Sequence, residues 1–344
     1  MDTLDLESVL AVLEKSKTLL LSAVAIGLGV VVIRRYCEGG KCLSNRRLDG
    51  KTVIVTGANC GLGKETAREL AKRGARVILA CRDLARAETA AEEIRLTTGN
   101  RNVQVYMLDL ASLKSVHRFA EEIIKNEDRL DILINNAAVS ACPKQNSEEG
   151  YELQFAVNHL GHFLLTNLLL NLLKKSAPSR VVTVSALAHV WCKQIHFEDL
   201  SLEKNYTPWY AYCHSKLANI LFNRELSRRL LGTGVTTYAL HPGIINTELM
   251  RYRRKGILVL SWYLFCPLTW LLMKSTIQGI QTTIYCAVSE DLEGVSGRYY
   301  SDCKEKQPYP QACDDDAAVA LWEISEKLTG LSSKLQTTQH NQVE

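Results

Sequence analysis

The chain has 344 residues, of which 47% are hydrophobic and 23% are charged, and its formal net charge is +4. These proportions are close to a globular average and exclude wholesale disorder, a collagen and a coiled coil. The mild charge also excludes a dedicated nucleic-acid binder, which normally carries a concentrated basic face.

The first feature along the chain is an uncharged apolar segment at 18–33, TLLLSAVAIGLGVVVI. It lies at the short end of what a membrane-spanning helix needs, about 17–25 residues, and is longer than the apolar region of a secretory signal. Acidic residues dominate before it, whereas Arg34, Arg35 and three further basic residues up to Arg47 follow it. Because basic flanks stay in the cytoplasm, we expect a membrane anchor with the bulk of the protein facing the cytosol. A buried or interfacial helix remains the alternative.

The remaining chain divides into three predicted parts. Residues 36–50 are basic and contain glycine, which indicates a linker after the anchor-bearing segment 1–35. One folded domain is expected over 51–331, and the polar residues 332–344 form a tail.

Short apolar runs alternate with amphipathic stretches through the domain. The expected strands are 52–55, 77–81, 103–108, 132–134, 181–185 and 235–240, and the expected helices include 64–73, 113–125, 151–174 and 210–230. Strands separated by crossover helices predict a doubly wound parallel α/β sheet, a Rossmann fold, whose ligand site lies at the carboxyl ends of the strands.

The first strand runs directly into TGANCGLG at 56–63, which is followed by a helix. Glycines in such a turn allow the backbone to approach a pyrophosphate, and the helix N-terminus presents N–H groups with a partial positive charge. The position of the turn between a buried strand and a helix therefore predicts a dinucleotide site.

The second strand ends at Arg82 and Asp83. An arginine at this point favours the 2′-phosphate of NADP, whereas an acidic residue favours the ribose of NAD. Arg82 comes first and Lys64 adds a cation at the turn, so NADP is preferred, although Asp83 leaves NAD open.

Further polar residues follow later strands, and a Tyr-x-x-x-Lys pair opens the helix at 210–230. Tyr212 and Lys216 share one helix face because they are four residues apart. A nearby ammonium lowers the pKa of a phenol, so Tyr212 is expected to exchange protons at physiological pH. The scattered cysteines form no CxxC pair and indicate free thiols, and no His or Cys cluster has the spacing of a metal site.

Together these motifs resemble the short-chain dehydrogenase/reductase family over roughly residues 51–331. The resemblance is carried by TGANCGLG, DL at 109–110, NNAA at 135–138, Asn158, YCHSK at 212–216 and HPG at 241–243. LACRD, VNHLGHFLLTNLL and SGRYYSDC are similar to the retinol dehydrogenase branch. That branch implies a membrane-anchored, NADP(H)-preferring enzyme, in the endoplasmic reticulum, that acts on retinoids or other apolar carbonyls and alcohols.

The resemblance also implies roles for individual residues. Tyr212 would be the general acid or base, Lys216 would hold the nicotinamide ribose, and Asn158 would position a water in the proton relay. The residues implied in cofactor binding are Gly57, Asn59, Gly61, Leu62, Gly63, Arg82, Asp109, Leu110, Asn136, Ala137, Tyr212, Lys216, Pro242, Gly243, Ile245 and Thr247.

One departure from the family affects catalysis. Ala186 stands where close relatives carry the serine that hydrogen-bonds the substrate carbonyl. Ser185 is retained as a candidate, but one step along a strand points to the other face. A second departure is Ala138, which stands where the family usually has a glycine. A cofactor-binding membrane protein with weak or no catalysis is therefore the alternative to an enzyme.

The last predicted feature is an apolar stretch at 256–273, where the family carries a substrate-covering loop. A lid that touches the bilayer surface is favoured, and plain core packing is the alternative. The expected partners are a small apolar substrate and the membrane, with no nucleic acid. The long helices after Gly150 and Pro208 pair subunits in relatives, which makes a homodimer an expectation by analogy.

Overall fold

The computed structural model describes residues 6–245, 271 and 273–331. Thr247, the polar tail and all of the predicted lid except residues 271 and 273 lie outside the described residues. Eight strands form one sheet in the described part: β1 to β8 are Thr52–Thr56, Arg76–Cys81, Val103–Met107, Ile132–Asn135, Ser179–Val184, Val235–His241, Arg298–Ser301 and Lys304–Glu305.

The described helices follow the alternation that the sequence predicts. Helices α1 to α10 are Leu6–Glu38, Gly61–Lys72, Leu84–Thr98, Leu113–Asn126, Leu153–Phe155, Gly161–Lys175, Pro208–Arg229, Thr276–Gly279, Gln281–Val288 and Asp315–Thr329. A π-helical turn, Ala156–Leu160, joins α5 to α6. The predicted helix at 151–174 is thus interrupted at Asn158.

The strand order is β3-β2-β1-β4-β5-β6-β7-β8, and every neighbouring pair is parallel except β7 with β8. The predicted doubly wound parallel sheet is therefore confirmed. The order reverses between β1 and β4, and the crevice outside the carboxyl ends of strands at such a point is where open α/β sheets bind ligands.

Alternating side chains of the central strands enter two cores on opposite faces of the sheet. Val53 and Val55 of β1 pack with α2, α3 and α9, whereas Ile54 between them packs with α4, α6 and α7. All three side chains are fully buried. Burial on both faces explains why these strands are continuous apolar runs.

Strand β7 is absent from the sequence-based expectations. Its four residues, RYYS, are too short and too polar for the apolar-run criterion, and β6 supplies the pairing that makes them a strand. Helix α2 also begins at Gly61, three residues earlier than predicted, because the glycine turn is continuous with its first turn.

The N-terminal helix α1 is longer than the apolar segment and is attached to the domain. Its stretch Leu13–Glu38 is long and apolar enough to cross a membrane, and none of its most apolar window is buried. At its end, Arg34 donates to the carbonyl of Met273 (2.7 Å) and to Gln278 Oε1 (3.1 Å). Within the predicted linker, Cys42 and Leu48 are buried in the core that also contains Val53 and Val55, so this segment packs against the domain.

Candidate active site

A cavity of about 330 Å³ opens at the carboxyl ends of β1, β2, β4, β5 and β6. The structure brings most of the predicted site residues together on its wall. These residues are Gly57, Asn59, Gly61, Leu62, Gly63, Arg82, Asp109, Leu110, Asn136, Ala137, Ser185, Tyr212, Lys216, Pro242, Gly243 and Ile245. Their proximity follows from the parallel sheet, and their roles in binding or catalysis stay predictions.

The glycine turn between β1 and α2 forms a cradle, an open space that the side chain of any other residue type would occupy. Gly57 and Gly61 have φ of +65° and +55°, a conformation that favours glycine. A Cβ on Gly63 would lie 2.4 Å from the carbonyl oxygen of Gly57 and 2.6 Å from Asn136 Nδ2. Helix α2 begins without a side-chain cap at Cys60. The open first-turn amides and close backbone approach fit the pyrophosphate of a dinucleotide.

Two arginines line another part of the same cavity. Arg82 and Arg86 both line the cavity, and Asp83 caps α3 by accepting from the backbone N–H of Arg86 (3.0 Å). Lys64, the second cation expected at this turn, is not among the residues of the cavity wall. Lys64 instead forms an ion pair with Glu93 and does not line the cavity, because the first turn of α2 directs it toward α3.

Thr56, the last residue of β1, organises the start of the NNAA segment. Its hydroxyl accepts from the backbone N–H groups of Asn136 and Ala137, each at 2.9 Å. Its oxygen also lies 2.8 Å from His162 Nε2, and His162 Nδ1 lies 3.1 Å from the carbonyl oxygen of Asn158. Burial lowers the pKa of His162 to about 4, so the ring is neutral at pH 7. A neutral ring that donates to Asn158 can accept from the Thr56 hydroxyl.

Asn158 lies behind the cavity wall, fully buried in the π-helical turn. Its Oδ1 accepts from Val139 N (2.9 Å), and its Nδ2 donates to Val139 O (3.0 Å) and Ser215 Oγ (2.9 Å). The side chain therefore connects the NNAA loop with the helix of Tyr212. The water-positioning role implied by the family stays a prediction.

Tyr212 and Lys216 are both buried on helix α7, one turn apart. Lys216 Nζ lies 5.6 Å from the centroid of the Tyr212 ring and donates to the carbonyl oxygen of Val184 (2.9 Å). Burial raises the pKa of Tyr212 above its ordinary value and lowers the pKa of Lys216 to about 7. The expected lowering of the Tyr212 pKa is therefore wrong for this structure, because desolvation dominates.

Ser185 and Ala186 follow the end of β5 and both line the cavity. The Ser185 hydroxyl donates to the carbonyl oxygen of Lys216 (2.7 Å). Its proton is thus used to hold the helix of Tyr212. Ala186 places a methyl group on the wall where a hydroxyl was expected.

Aromatic side chains extend from Tyr212 to the surface. The rings of Trp209 and Tyr212 are 5.7 Å apart, and those of Trp191 and Trp209 are also 5.7 Å apart. Trp191 is 54% exposed and Trp209 37% exposed. An apolar surface formed by the two tryptophans therefore adjoins Tyr212, although neither tryptophan is among the residues of the cavity wall.

Several residues of the cavity wall were not predicted from the sequence, among them Arg86, Val139 and Ser140. Arg86 is one helical turn beyond Arg82, and that spacing could have indicated it. Ser140 follows NNAAV without a motif of its own, so only its place on the wall identifies it.

Comparison with known proteins extends the similarity over nearly the whole chain. Residues 51–257 match the family model of the short chain dehydrogenases. Retinol dehydrogenase 13 of Mus musculus is 53% identical over 305 residues, which cover 88% of this chain and 91% of that protein. Retinol dehydrogenase 12 of Homo sapiens is 52% identical over 299 residues, which cover 87% and 92%.

A solved structure shares the fold as well. The crystal structure of an uncharacterized protein from Mycobacterium Paratuberculosis matches with a TM-score of 0.66 and 36% identity, covering 85% of this chain and 98% of that chain. The similarity thus includes the strands and helices that build the cavity.

Proposed function

The chain belongs to the short-chain dehydrogenase family, and from that premise we propose that it is an NADP(H)-dependent oxidoreductase that interconverts an apolar aldehyde or ketone and its alcohol. The observation that carries the proposal is the presence of Tyr212 and Lys216 on one cavity with the uncapped glycine turn of α2. A phenol and an ammonium beside a dinucleotide cradle are the groups needed to pair proton transfer with a cofactor reaction.

A bound nicotinamide dinucleotide would supply or accept the hydride. Gly57, Gly61 and Gly63 would hold its pyrophosphate, and Lys216 and Asn136 would border its nicotinamide ribose. Tyr212 would give the substrate oxygen its proton in reduction and remove it in oxidation. Burial raises the pKa of Tyr212, so the phenol is protonated at pH 7, which is the form that could give a proton to a substrate oxygen.

Preference for the phosphorylated cofactor is supported by Arg82 and Arg86 on the same part of the wall. Guanidinium groups bind phosphate through paired, charge-assisted hydrogen bonds. Asp83, which would compete for the ribose hydroxyl of NAD, already caps α3.

An apolar substrate is supported by the tryptophans that extend outward from Tyr212. A substrate whose carbonyl group reaches Tyr212 would place the rest of its molecule against Trp209 and Trp191. The relatives that are about half identical are named retinol dehydrogenases, so we propose a retinoid-like aldehyde or alcohol.

The place of the reaction is the second part of the proposal. The exposed apolar helix α1 would anchor the chain, and the basic residues after it would keep the domain on the cytosolic side. The endoplasmic reticulum is the membrane implied by the retinol dehydrogenase branch.

Tyr212→Phe tests the catalytic proposal. The full-length protein in detergent is assayed for NADPH oxidation with all-trans-retinal, a steroid ketone and a long-chain aldehyde, and we expect the variant to lose at least about a hundredfold in kcat. Turnover that survives in Tyr212→Phe would remove the assigned acid.

Ala186 favours a second candidate, a cofactor-binding membrane protein with little catalysis. Loss of one donor to a developing oxyanion typically costs on the order of 10²–10³ in rate. Tight NADPH binding without turnover of any carbonyl in the panel would support this alternative.

A further inference from the structure

We propose that Ser140 supplies the hydroxyl donor for the substrate carbonyl that Ala186 lacks. The inference rests on the proposed function, because it assigns a further residue to the same reaction. Ser140 lies on the wall of the cavity that also contains Tyr212 and Ala186. A donor beside Tyr212 stabilises the negative charge that the carbonyl oxygen gains during reduction.

The side chain of Ser140 is available for this role. The residue is only 4% exposed, yet no hydrogen bond holds its hydroxyl within the described residues. A hydroxyl on the cavity wall that makes no hydrogen bond there can donate to a bound ligand without first breaking a bond within the protein. The neighbouring cavity serine, Ser185, differs in this respect because its proton goes to the Lys216 carbonyl.

The backbone on both sides of Ser140 is fixed. Asn158 holds the N–H and the carbonyl of Val139, and Gln154 Oε1 accepts from the backbone N–H of Ala141 (2.8 Å). Ala141 has φ of +49°, which is unusual for a residue with a side chain. Strained backbone of this kind persists where its surroundings over-determine it, as they do at many ligand sites.

The same two side chains tie this loop to the helix of Tyr212. Gln154 Nε2 donates to the carbonyl of Pro208 (2.9 Å), four residues before Tyr212. Asn158 Nδ2 donates to Ser215 Oγ (2.9 Å), three residues after Tyr212. Ser140 and Tyr212 are thereby positioned relative to each other by two bridges, which is the preorganisation that charge stabilisation requires.

The reaction needs only the reduced nicotinamide cofactor named in the proposed function, which would give up a hydride and become oxidised. In reduction the carbonyl carbon would take that hydride as the C=O π pair moves to oxygen, and the oxygen would take the proton of Tyr212, leaving a phenolate. Ser140 donates a hydrogen bond to the same oxygen throughout and keeps its own proton.

A double-mutant cycle tests the proposal. The wild type, Ser140→Ala, Ala186→Ser and the double variant, all full length, are assayed with NADPH and a long-chain aldehyde. We expect Ser140→Ala to lower kcat by on the order of 10². In the Ser140→Ala background, Ala186→Ser should raise kcat by at least about tenfold. In the wild-type background, the same substitution should change kcat by less than about threefold. Equal effects of Ala186→Ser in both backgrounds would refute the assignment.

Ser147→Ala is the matched control. Ser147 follows in the same connection and is also buried, but its hydroxyl bonds to Glu149 and lies outside the cavity wall. Its activity should equal that of the wild type.

Binding provides a readout that does not need turnover. A long-chain amide, whose carbonyl accepts hydrogen bonds but is not reduced, should bind about tenfold more weakly to Ser140→Ala. NADPH affinity should be unchanged in the same variant, and a parallel loss would mean that Ser140 acts only on the structure. Unchanged amide affinity and unchanged kcat would overturn the role of Ser140 while leaving Tyr212 untouched. Survival of turnover in Tyr212→Phe would instead remove the proposed function.

Discussion

At the scale of single residues, what a charged side chain can do depends on the partner that already holds it. Arg82 and Arg86 line the cavity, whereas Lys64, in the first turn of α2, is paired with Glu93. Lys216 is likewise bound to the carbonyl of Val184, and burial brings its pKa to about 7. Sequence position alone does not distinguish these cations.

Cofactor selectivity should follow this difference. Arg82→Leu is expected to weaken NADPH binding by about ten- to a hundredfold and to spare NADH, because only NADPH carries the 2′-phosphate. Dissociation constants from fluorescence titration of both cofactors measure the effect. Lys64→Ala is the matched control and should leave both constants unchanged. An equal loss for NADPH and NADH in Arg82→Leu would show that Arg82 does not read the phosphate.

At the scale of elements, the π-helical turn and the glycine turn position the site. The π-helical turn places Asn158 between the Val139 loop and helix α7. The glycine turn brings the first turn of α2 against β1 and Asn136. Both are local irregularities whose purpose becomes clear only from the contacts they make with other elements.

Gly63→Ala tests the glycine cradle. The added Cβ would overlap the carbonyl oxygen of Gly57, so the turn must shift, and overpacking of this kind costs about 1–3 kcal/mol. We expect NADPH affinity to fall by at least about tenfold. Gly99→Ala, at a left-handed helix end with open space around it, should lower stability by about 1 kcal/mol without changing NADPH affinity. Equal NADPH affinity in both variants would contradict the cradle.

Buried histidines on the helices predict sensitivity to acid. Burial lowers the pKa of His159 and His214 to about 3 and that of His162 to about 4. Between pH 6.5 and about 4 the unfolded chain therefore binds protons that the folded chain does not, so stability falls as the pH falls through this window. Each histidine contributes about 1.4 kcal/mol per pH unit.

His159→Phe isolates one of these contributions. The side chain packs among Phe155, Phe163 and Phe222, so phenylalanine keeps the ring packing, and it removes the contact of His159 Nε2 with Ser325 Oγ (2.9 Å) at every pH. Denaturant titrations at pH 7, 6 and 5 should show a smaller loss of unfolding free energy on acidification than in the wild type, with a difference that approaches about 1.4 kcal/mol per pH unit below pH 6.5. Parallel curves for the two proteins would mean that His159 is protonated in the folded state.

At the scale of the whole molecule, the anchor helix and the cavity are joined through one short region. Arg34 at the end of α1 binds the carbonyl of Met273 and the side chain of Gln278. Lys274, which directly follows Met273, is ion-paired with Asp302 and packs against Gly243 on the cavity wall. These contacts therefore connect the apolar helix α1 with the part of the cavity wall that is predicted to hold the nicotinamide.

Topology can be tested at Asn205. Asn205-Tyr206-Thr207 is a glycosylation acceptor, and Asn205 is exposed, so a lumenal domain would be modified there. With the basic flank of α1 retained in the cytosol, we expect no glycan in cells. The mass of the wild type is compared with that of Asn205→Gln before and after glycosidase treatment. A glycosidase-sensitive shift present only in the wild type would reverse the proposed orientation.

The sequence by itself determined the first six strands, the glycine turn, the Tyr212–Lys216 spacing and the apolar segment of α1, because each depends on residues that are near one another along the chain. Hydrophobic period, glycine conformation and helical spacing are local properties, and they predicted these features before any contact was known. The tertiary structure alone decided that Lys64 pairs with Glu93, that burial raises rather than lowers the pKa of Tyr212, and that Asn158 holds Val139 and Ser215. It also placed on the cavity wall the hydroxyl of Ser140, which makes no hydrogen bond to any residue that the structure describes. Desolvation and hydrogen-bond partners come from residues far apart in the chain, so folding must bring them together before their effects exist.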